Sequence, residues 1–334
     1  MGSEESVRNY NRTLGLCITT YNRKEYLGQL LKSVLKDVTR YQIPIFISDN
    51  SSSDGTDSFV LDFRKTYPNV IYRRNPENLG LYGNFLESIK MADTEYIWTL
   101  GDDDIIVDGA IGKIMSEIEN NPDFILVNST AVDKDAERVM ITRIIKCSQD
   151  VRYVPGNGRE PFYDLMPKEY NTFISSMIIR RELISHLLPK YEDRGFVLYN
   201  NSYMPLAIYY EAIKGKKGVF LCNPLVLMRD NHRADRENLW EYFYIGHLKA
   251  CEYLGRMGYD IKGHRKYVYN GFMGVIFHTL LAKHGAPHIR LMNDIIKKDK
   301  IIPLHIKLLM ELVDITPQIF IAELYRVMQK FRGY

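Results

Sequence analysis

Tyr96-Ile97-Trp98-Thr99-Leu100-Gly101-Asp102-Asp103-Asp104 sets a β-rich apolar run directly against three consecutive carboxylates. The run reads as a strand, and the glycine hands it over to a turn that holds three negative charges at the strand's C-terminal end. At about 4 Å, each pair of like charges repels by about 1 kcal/mol in water and about 4 kcal/mol at an effective dielectric near 20. A divalent ion offsets that cost, and oxygen-only ligands favour Mg²⁺ or Mn²⁺ over zinc.

Outward from this stretch, short apolar runs alternate with helical patterns. Leu14–Thr19, Ile43–Ser48, Val70–Arg73, Tyr96–Leu100 and Phe124–Asn128 read as strands. Between them, Leu27, Leu30, Leu31, Val34 and Leu35 recur at helical spacing, as do Phe85, Ile89 and Ala92. The rhythm is βαβ, which predicts an α/β fold with a mostly parallel sheet covered on both faces and ligands gathered at the carboxyl ends of its strands. From about 131 to 231 the pattern loosens into Tyr-, Pro- and Gly-containing loops, with a helix predicted over Met204–Lys214, a stretch suited to an acceptor. Beyond Leu239 the chain turns helical and aromatic.

The 334 residues are 46% hydrophobic and 25% charged, ordinary for a protein with a sizeable core. A net charge of +3 gives no global pull towards nucleic acid. The four cysteines, Cys17, Cys147, Cys222 and Cys251, have neither metal-ligand spacing nor the density of a disulfide framework, which predicts a reducing compartment, cytoplasm by default. The polar, acidic start lacks the apolar core of a secretory signal. The longest apolar stretch, Phe272–Ala282, is interrupted by His278 and falls short of the about 20 residues a bilayer span needs. Neither a dinucleotide-type glycine fingerprint nor a P-loop pattern occurs.

Two more strand ends carry polar turns, Thr19-Thr20-Tyr21-Asn22-Arg23 and Ser48-Asp49-Asn50-Ser51-Ser52-Ser53-Asp54-Gly55-Thr56. With Asp102–Asp104 they bring an aromatic ring, an acid and a carboxylate cluster to one sheet edge. That set suits a base, a ribose and a metal-bound diphosphate. Tyr21 offers a ring face to a base, and Asp49 can accept an N–H from a pyrimidine edge or simply cap its own loop. Arg23 or Arg229 can supplement a cation on the leaving phosphate.

On these motifs the chain resembles the inverting family-2 glycosyltransferases, whose GT-A fold carries a Thr-Tyr-Asn start, an Asp-Asp-Gly-Ser-like second turn and an Asp-x-Asp motif. The resemblance covers roughly the first 130 residues. It implies that Tyr21, beside Thr20, flanks the base, that Asp49 contacts uracil or thymine, and that Asp102 contacts the ribose. It puts the metal on Asp103 with Asp104, although Gly101 stands where the family's first acid is common, so the choice among the three stays open. Asn78-Leu79-Gly80 with Asn84 matches the glycine-containing turn that passes close to the nucleotide.

The implied reaction moves a sugar from a nucleotide-diphosphate donor, UDP- or dTDP-linked, to a saccharide or lipid-linked saccharide acceptor, with inversion. The acceptor hydroxyl needs a base. Counting back from Lys214-Gly215, the family's base position falls near Tyr203 and Met204, and neither is an acid. The nearest carboxylates are Glu192-Asp193 and Glu211, of which Asp193 is taken as the base. His232 lies one residue away from the family's Tyr-Arg-x-His spacing.

The expected organisation is a GT-A domain over 1–235, with a nucleotide-binding half at 1–130 and an acceptor half at 131–235, then a helical region at 236–334. For the last, core helices, a homo-oligomer interface and attachment to a membrane surface are three open readings; Lys297, Lys298, Lys300 and Lys307 motivate the third. Two rival functions stand beside the leading one. A sugar nucleotidyltransferase needs a glycine-rich phosphate loop that Thr19–Arg23 lacks, and a non-catalytic sugar-nucleotide sensor or scaffold is suggested by the missing acid near Tyr203.

Overall fold

A computed structural model describes residues 11–157, 160–161, 174–192, 204–229 and 253–260. The chain divides into two compact units, and apart from 253–255 and 259–260 these residues belong to the first. Asp193, His232 and the lysines at 297–307 lie outside the described residues.

β1 (Leu14–Thr20) is buried at all seven positions, as an apolar strand covered on both faces must be. α1 (Lys24–Tyr41) returns over it with Leu27, Leu30, Leu31, Val34 and Val38 turned into the core. β2 (Ile45–Asp49), α2 (Thr56–Thr66), β3 (Val70–Arg74), α3 (Gly80–Met91) and β4 (Tyr96–Gly101) follow in the expected alternation. Then come β5 (Ile105–Ile106), α4 (Ala110–Ile118), β6 (Phe124–Val132), β7 (Val139–Ile141), β8 (Val151–Tyr153), β9 (Met177–Arg180), a helix at Met204–Ile213 and β10 (Gly218–Arg229).

The strands form one sheet in the order β3-β2-β1-β4-β9-β6-β10-β5, with β7 added to β6 and β8 to β10. The β3-β2-β1-β4 half is parallel throughout. The other half adds antiparallel strands to the expected parallel arrangement. β9 runs antiparallel between β4 and β6, β5 and β8 run antiparallel to β10, and only β6 with β10 is parallel there. A single short strand, β9, thereby satisfies the backbone groups of two neighbours at once.

The cysteine reading is also corrected. Cys147, in the segment after β7, is disulfide-bonded to Cys222 on β10, with the Cα atoms 5.8 Å apart and the residues 75 apart in sequence. Such a long separation has no local signature, and its pairing removes the cysteine argument for a reducing compartment. Among the described residues no helix is long and apolar enough to cross a membrane.

Candidate functional site

Parallel pairing fixes which strand ends meet. Thr20 on β1 lies opposite Asp49 on β2, and Thr19 lies opposite Gly101 on β4. The two polar turns and the acidic turn therefore emerge side by side from the C-terminal edge. Asn22 and Ser51 hold left-handed backbones, at φ 50° and 67°, one in each of the first two turns. Non-glycine residues pay for that conformation, so the surroundings must impose it. They do: the Asn22 N–H donates to Ser52 Oγ (2.9 Å), the Ser53 N–H donates to Asn22 Oδ1 (2.7 Å), and Asp54 accepts the Lys24 N–H that opens α1 (2.9 Å).

Asp49 is fully buried. Its Oδ1 accepts the Ser52 N–H at 2.9 Å and its Oδ2 accepts the Tyr72 hydroxyl at 2.6 Å, so it caps its own loop. Each oxygen has a second lone pair beyond these bonds. Next to it, Asn50 donates to Asn78 Oδ1 (2.6 Å) and to the Gly80 carbonyl (3.2 Å) while accepting the Leu79 N–H (2.8 Å). Asn50 thus pins the Asn78-Leu79-Gly80 turn to the end of β2. Gly80 sits at φ 73°, where a side chain would be strained.

Asn84 is engaged with protein groups. Its Oδ1 accepts Ser48 Oγ (2.7 Å) and Asn75 Nδ2 (3.0 Å), and its Nδ2 donates to the Thr20 carbonyl (3.2 Å). This buried knot ties α3 to the ends of β1 and β2. Tyr21, by contrast, is 44% exposed beside these buried groups.

In the acidic turn the three carboxylates have different surroundings. Arg23, at the N-cap of α1, donates through Nη1 to Asp102 Oδ1 at 3.1 Å and to Asp103 Oδ2 at 2.6 Å. Asp102 is 4% exposed; burial and the Asp103 charge push its carboxyl up to about 6, against the pull of Arg23 and the Thr20 hydroxyl. Asp104 is 2% exposed and is raised well above the usual range, first by burial and then by Asp103. Ser175 Oγ and the Arg229 backbone N–H both donate to it. Ser175 also accepts the Gly101 N–H at 2.9 Å. Asp104 therefore helps to hold the turn closed. Asp103 is the more exposed acid, with a side chain 23% accessible.

Arg229, expected near the phosphate, is occupied elsewhere: its guanidinium meets the Lys134 carbonyl at 2.9 Å and Gln29 Oε1, and stacks 5.1 Å from the Tyr26 ring centre. Only its backbone reaches the acids. The alternative carboxylates are also engaged: Glu211 accepts from Lys190 and from the Tyr191 hydroxyl, each at 2.6 Å, and Glu192 pairs with Lys90 at 2.9 Å. Sequence reasoning missed Ser175, Tyr72 and Ser52. Ser175 lies 71 residues beyond Asp104 and carries no motif; Ser52 was visible only as a turn residue.

Against known proteins, a profile described as "Glycosyl transferase family 2" matches residues 16–188. The chain is 39% identical over 176 residues to the Abequosyltransferase RfbV of Salmonella typhimurium, covering 51% of this chain and 53% of that protein. It is 30% identical over 105 residues to a GalNAc(5)-diNAcBac-PP-undecaprenol beta-1,3-glucosyltransferase of Campylobacter jejuni, covering 31% and 34% of the two. The chain thus spans about half the length of the first of these relatives and a third of the second. Among solved structures, S. aureus TarS 1-349 matches with a TM-score of 0.61 at 16% identity, over 94% of this chain and 91% of that one. The fold is that of GT-A glycosyltransferases.

Proposed function

The chain belongs to glycosyl transferase family 2, and on that premise we propose that it transfers a sugar from a pyrimidine nucleotide-diphosphate donor, UDP- or dTDP-linked, to a saccharide or lipid-linked saccharide acceptor, with a divalent cation and inversion at the anomeric carbon. The observation that carries this reading is the strand register that sets Tyr21, Asp49 and the Asp102–Asp103 pair along one parallel edge. Similarity to an abequosyltransferase and to a glucosyltransferase named for an undecaprenol-linked saccharide supports the reaction and acceptor classes.

The geometry supports the following residue roles. Tyr21 stacks on the base, and Asp49, oriented by Ser52 and Tyr72, takes a base N–H with its remaining lone pairs. Asp102 and Asp103 offer hard oxygen donors of the kind that hold Mg²⁺ or Mn²⁺ together with substrate phosphates. Among the described residues no group of three or more His, Cys, Asp or Glu is arranged to hold a metal ion by itself. Such an ion supplies charge neutralisation for the departing diphosphate. Arg23 adds a guanidinium to the same phosphate oxygens. Asp193 is the proposed base.

The experiment is donor turnover with Asp103→Ala, with calorimetric binding of UDP, dTDP, CDP and GDP in the presence and absence of Mn²⁺. Asp103→Ala is expected to lower turnover by about a thousandfold and to remove the Mn²⁺ dependence of nucleotide binding. Wild-type rates in that variant sink the assignment. A second reading, a sugar-nucleotide sensor, is favoured by the engagement of Glu192 and Glu211 with other side chains. Slow release of nucleoside diphosphate from the donor separates the two, since a sensor releases none.

A further inference from the structure

Arg23 stands in an unusual place for a cation. It is the N-cap of an 18-residue helix, the end where the helix dipole disfavours positive charge. What holds it there is the acidic turn: Nη1 bridges Asp102 Oδ1 at 3.1 Å and Asp103 Oδ2 at 2.6 Å, with the Arg23 side chain only 18% accessible. A Mg²⁺-like ion sits about 2.1 Å from its carboxylate oxygens. An ion bound between the same two oxygens would overlap the volume that Nη1 fills.

Resting on the proposed donor and cation reading, we infer that Arg23 is a built-in surrogate for the cation. Guanidinium and divalent ion compete for Asp102 and Asp103, and the ion's arrival frees Arg23 to turn to the donor diphosphate. The backbone is not part of this exchange. The Arg23 carbonyl accepts the Leu27 N–H at 3.0 Å, and the preceding Asn22 is tied to Ser52 and Ser53, so the exchange is a side-chain rotation about a fixed N-cap. Displacing Arg23 leaves a cation without its anions unless a phosphate is present, and the diphosphate is the anion at hand. Donor and divalent ion therefore bind with positive coupling, each tightening the other by the same factor. Without donor, the salt bridge keeps the acidic pair satisfied and the ion weakly held.

The test is a Mn²⁺ titration of the full chain without nucleotide, read by the loss of the free-Mn²⁺ electron paramagnetic resonance signal, on wild type, Arg23→Gln, Arg23→Lys and Arg23→Gln with Asp103→Asn. Arg23→Gln is expected to bind Mn²⁺ about tenfold more tightly than wild type. Arg23→Lys is expected to fall between, because a lysine ammonium keeps the charge but is more strongly hydrated than a guanidinium and holds the buried pair less firmly. The double variant is expected to lose the gain. Equal affinity in wild type and Arg23→Gln, with binding abolished by Asp103→Asn, overturns the competition while leaving the cation site standing. No Mn²⁺ uptake by any of the four proteins overturns the cation reading itself, and this inference with it. Tight binding that survives in the double variant puts the ion elsewhere and also overturns the inference. Should Arg23→Gln fail to fold, Arg23→Lys decides: affinity equal to wild type counts against the competition, tightening supports it.

Discussion

The two halves of the sheet are held together by different means. In the β3-β2-β1-β4 half, strands pair in parallel and their ends are locked by short-range polar knots: Asn84 among Thr20, Ser48 and Asn75, Asn50 on the Asn78–Gly80 turn, Asp54 on the start of α1. In the β9-β6-β10 half, directions mix, β10 shifts register between Leu221 and Val226, and a disulfide ties Cys222 to the segment after β7. The first arrangement makes a rigid rim of fixed side-chain positions, which is what recognition of one nucleotide requires. The second tolerates irregular strands because a covalent link supplements hydrogen bonding.

If the halves are as separable as that, breaking one should spare the other. Replacing Cys147 and Cys222 with serine opens a loop of 75 residues and is expected to cost about 4 kcal/mol of stability by loop-closure entropy, read by denaturant unfolding, while nucleotide affinity stays within twofold. A matching loss of nucleotide affinity would mean that the rim depends on the clamp. Asn84→Ala should do the reverse. It removes three partners from buried groups, is expected to cost about 3 kcal/mol, and should weaken nucleotide binding as the ends of β1 and β2 loosen; calorimetry alongside thermal unfolding reads both.

Ser175 joins the halves, since it comes just before β9 yet holds the acidic turn after β4. Ser175→Ala is expected to cost about 2 kcal/mol by leaving Asp104 and the Gly101 N–H each short of a partner, and to weaken Mn²⁺ binding through Asp103 without abolishing it. The smallest effect expected is on pH. Because the Asp102 carboxyl is raised from 3.8 to about 6, the folded chain keeps a proton that the unfolded chain has lost between those values. In the cation-free protein, stability should therefore fall as pH rises from about 4 to about 6, and Asp102→Asn should flatten that slope in a pH series of thermal midpoints.

The parallel half was legible because its signals are local. The apolar run Leu14–Thr19 predicted β1 to within one residue, and Tyr96–Leu100 followed by Gly101 placed the acids at a strand end. Tyr21, Asp49 and Asp102–Asp104 were found as motifs because strand-end turns keep their residues together in sequence. The roles of individual side chains were harder to read. Asn84 and Asp104 read as ligand groups in sequence, and in the fold both also bond protein partners, as most buried polar atoms do. The antiparallel β9 was invisible in advance: Met177–Arg180 is short, and its partners β4 and β6 lie far earlier in the chain.

From residue order alone come the alternation of strand and helix, the apolar faces and the acidic turn, all products of periodicities a few residues long. Folding in three dimensions chose the pairing of β9, the bond between Cys147 and Cys222, and the guanidinium that neutralises Asp102 and Asp103. Those contacts join residues separated by 50 to 80 positions or more, and no local preference specifies them. They form because burying a charge or a backbone group without a partner costs more than the chain entropy lost in bringing one from a distance.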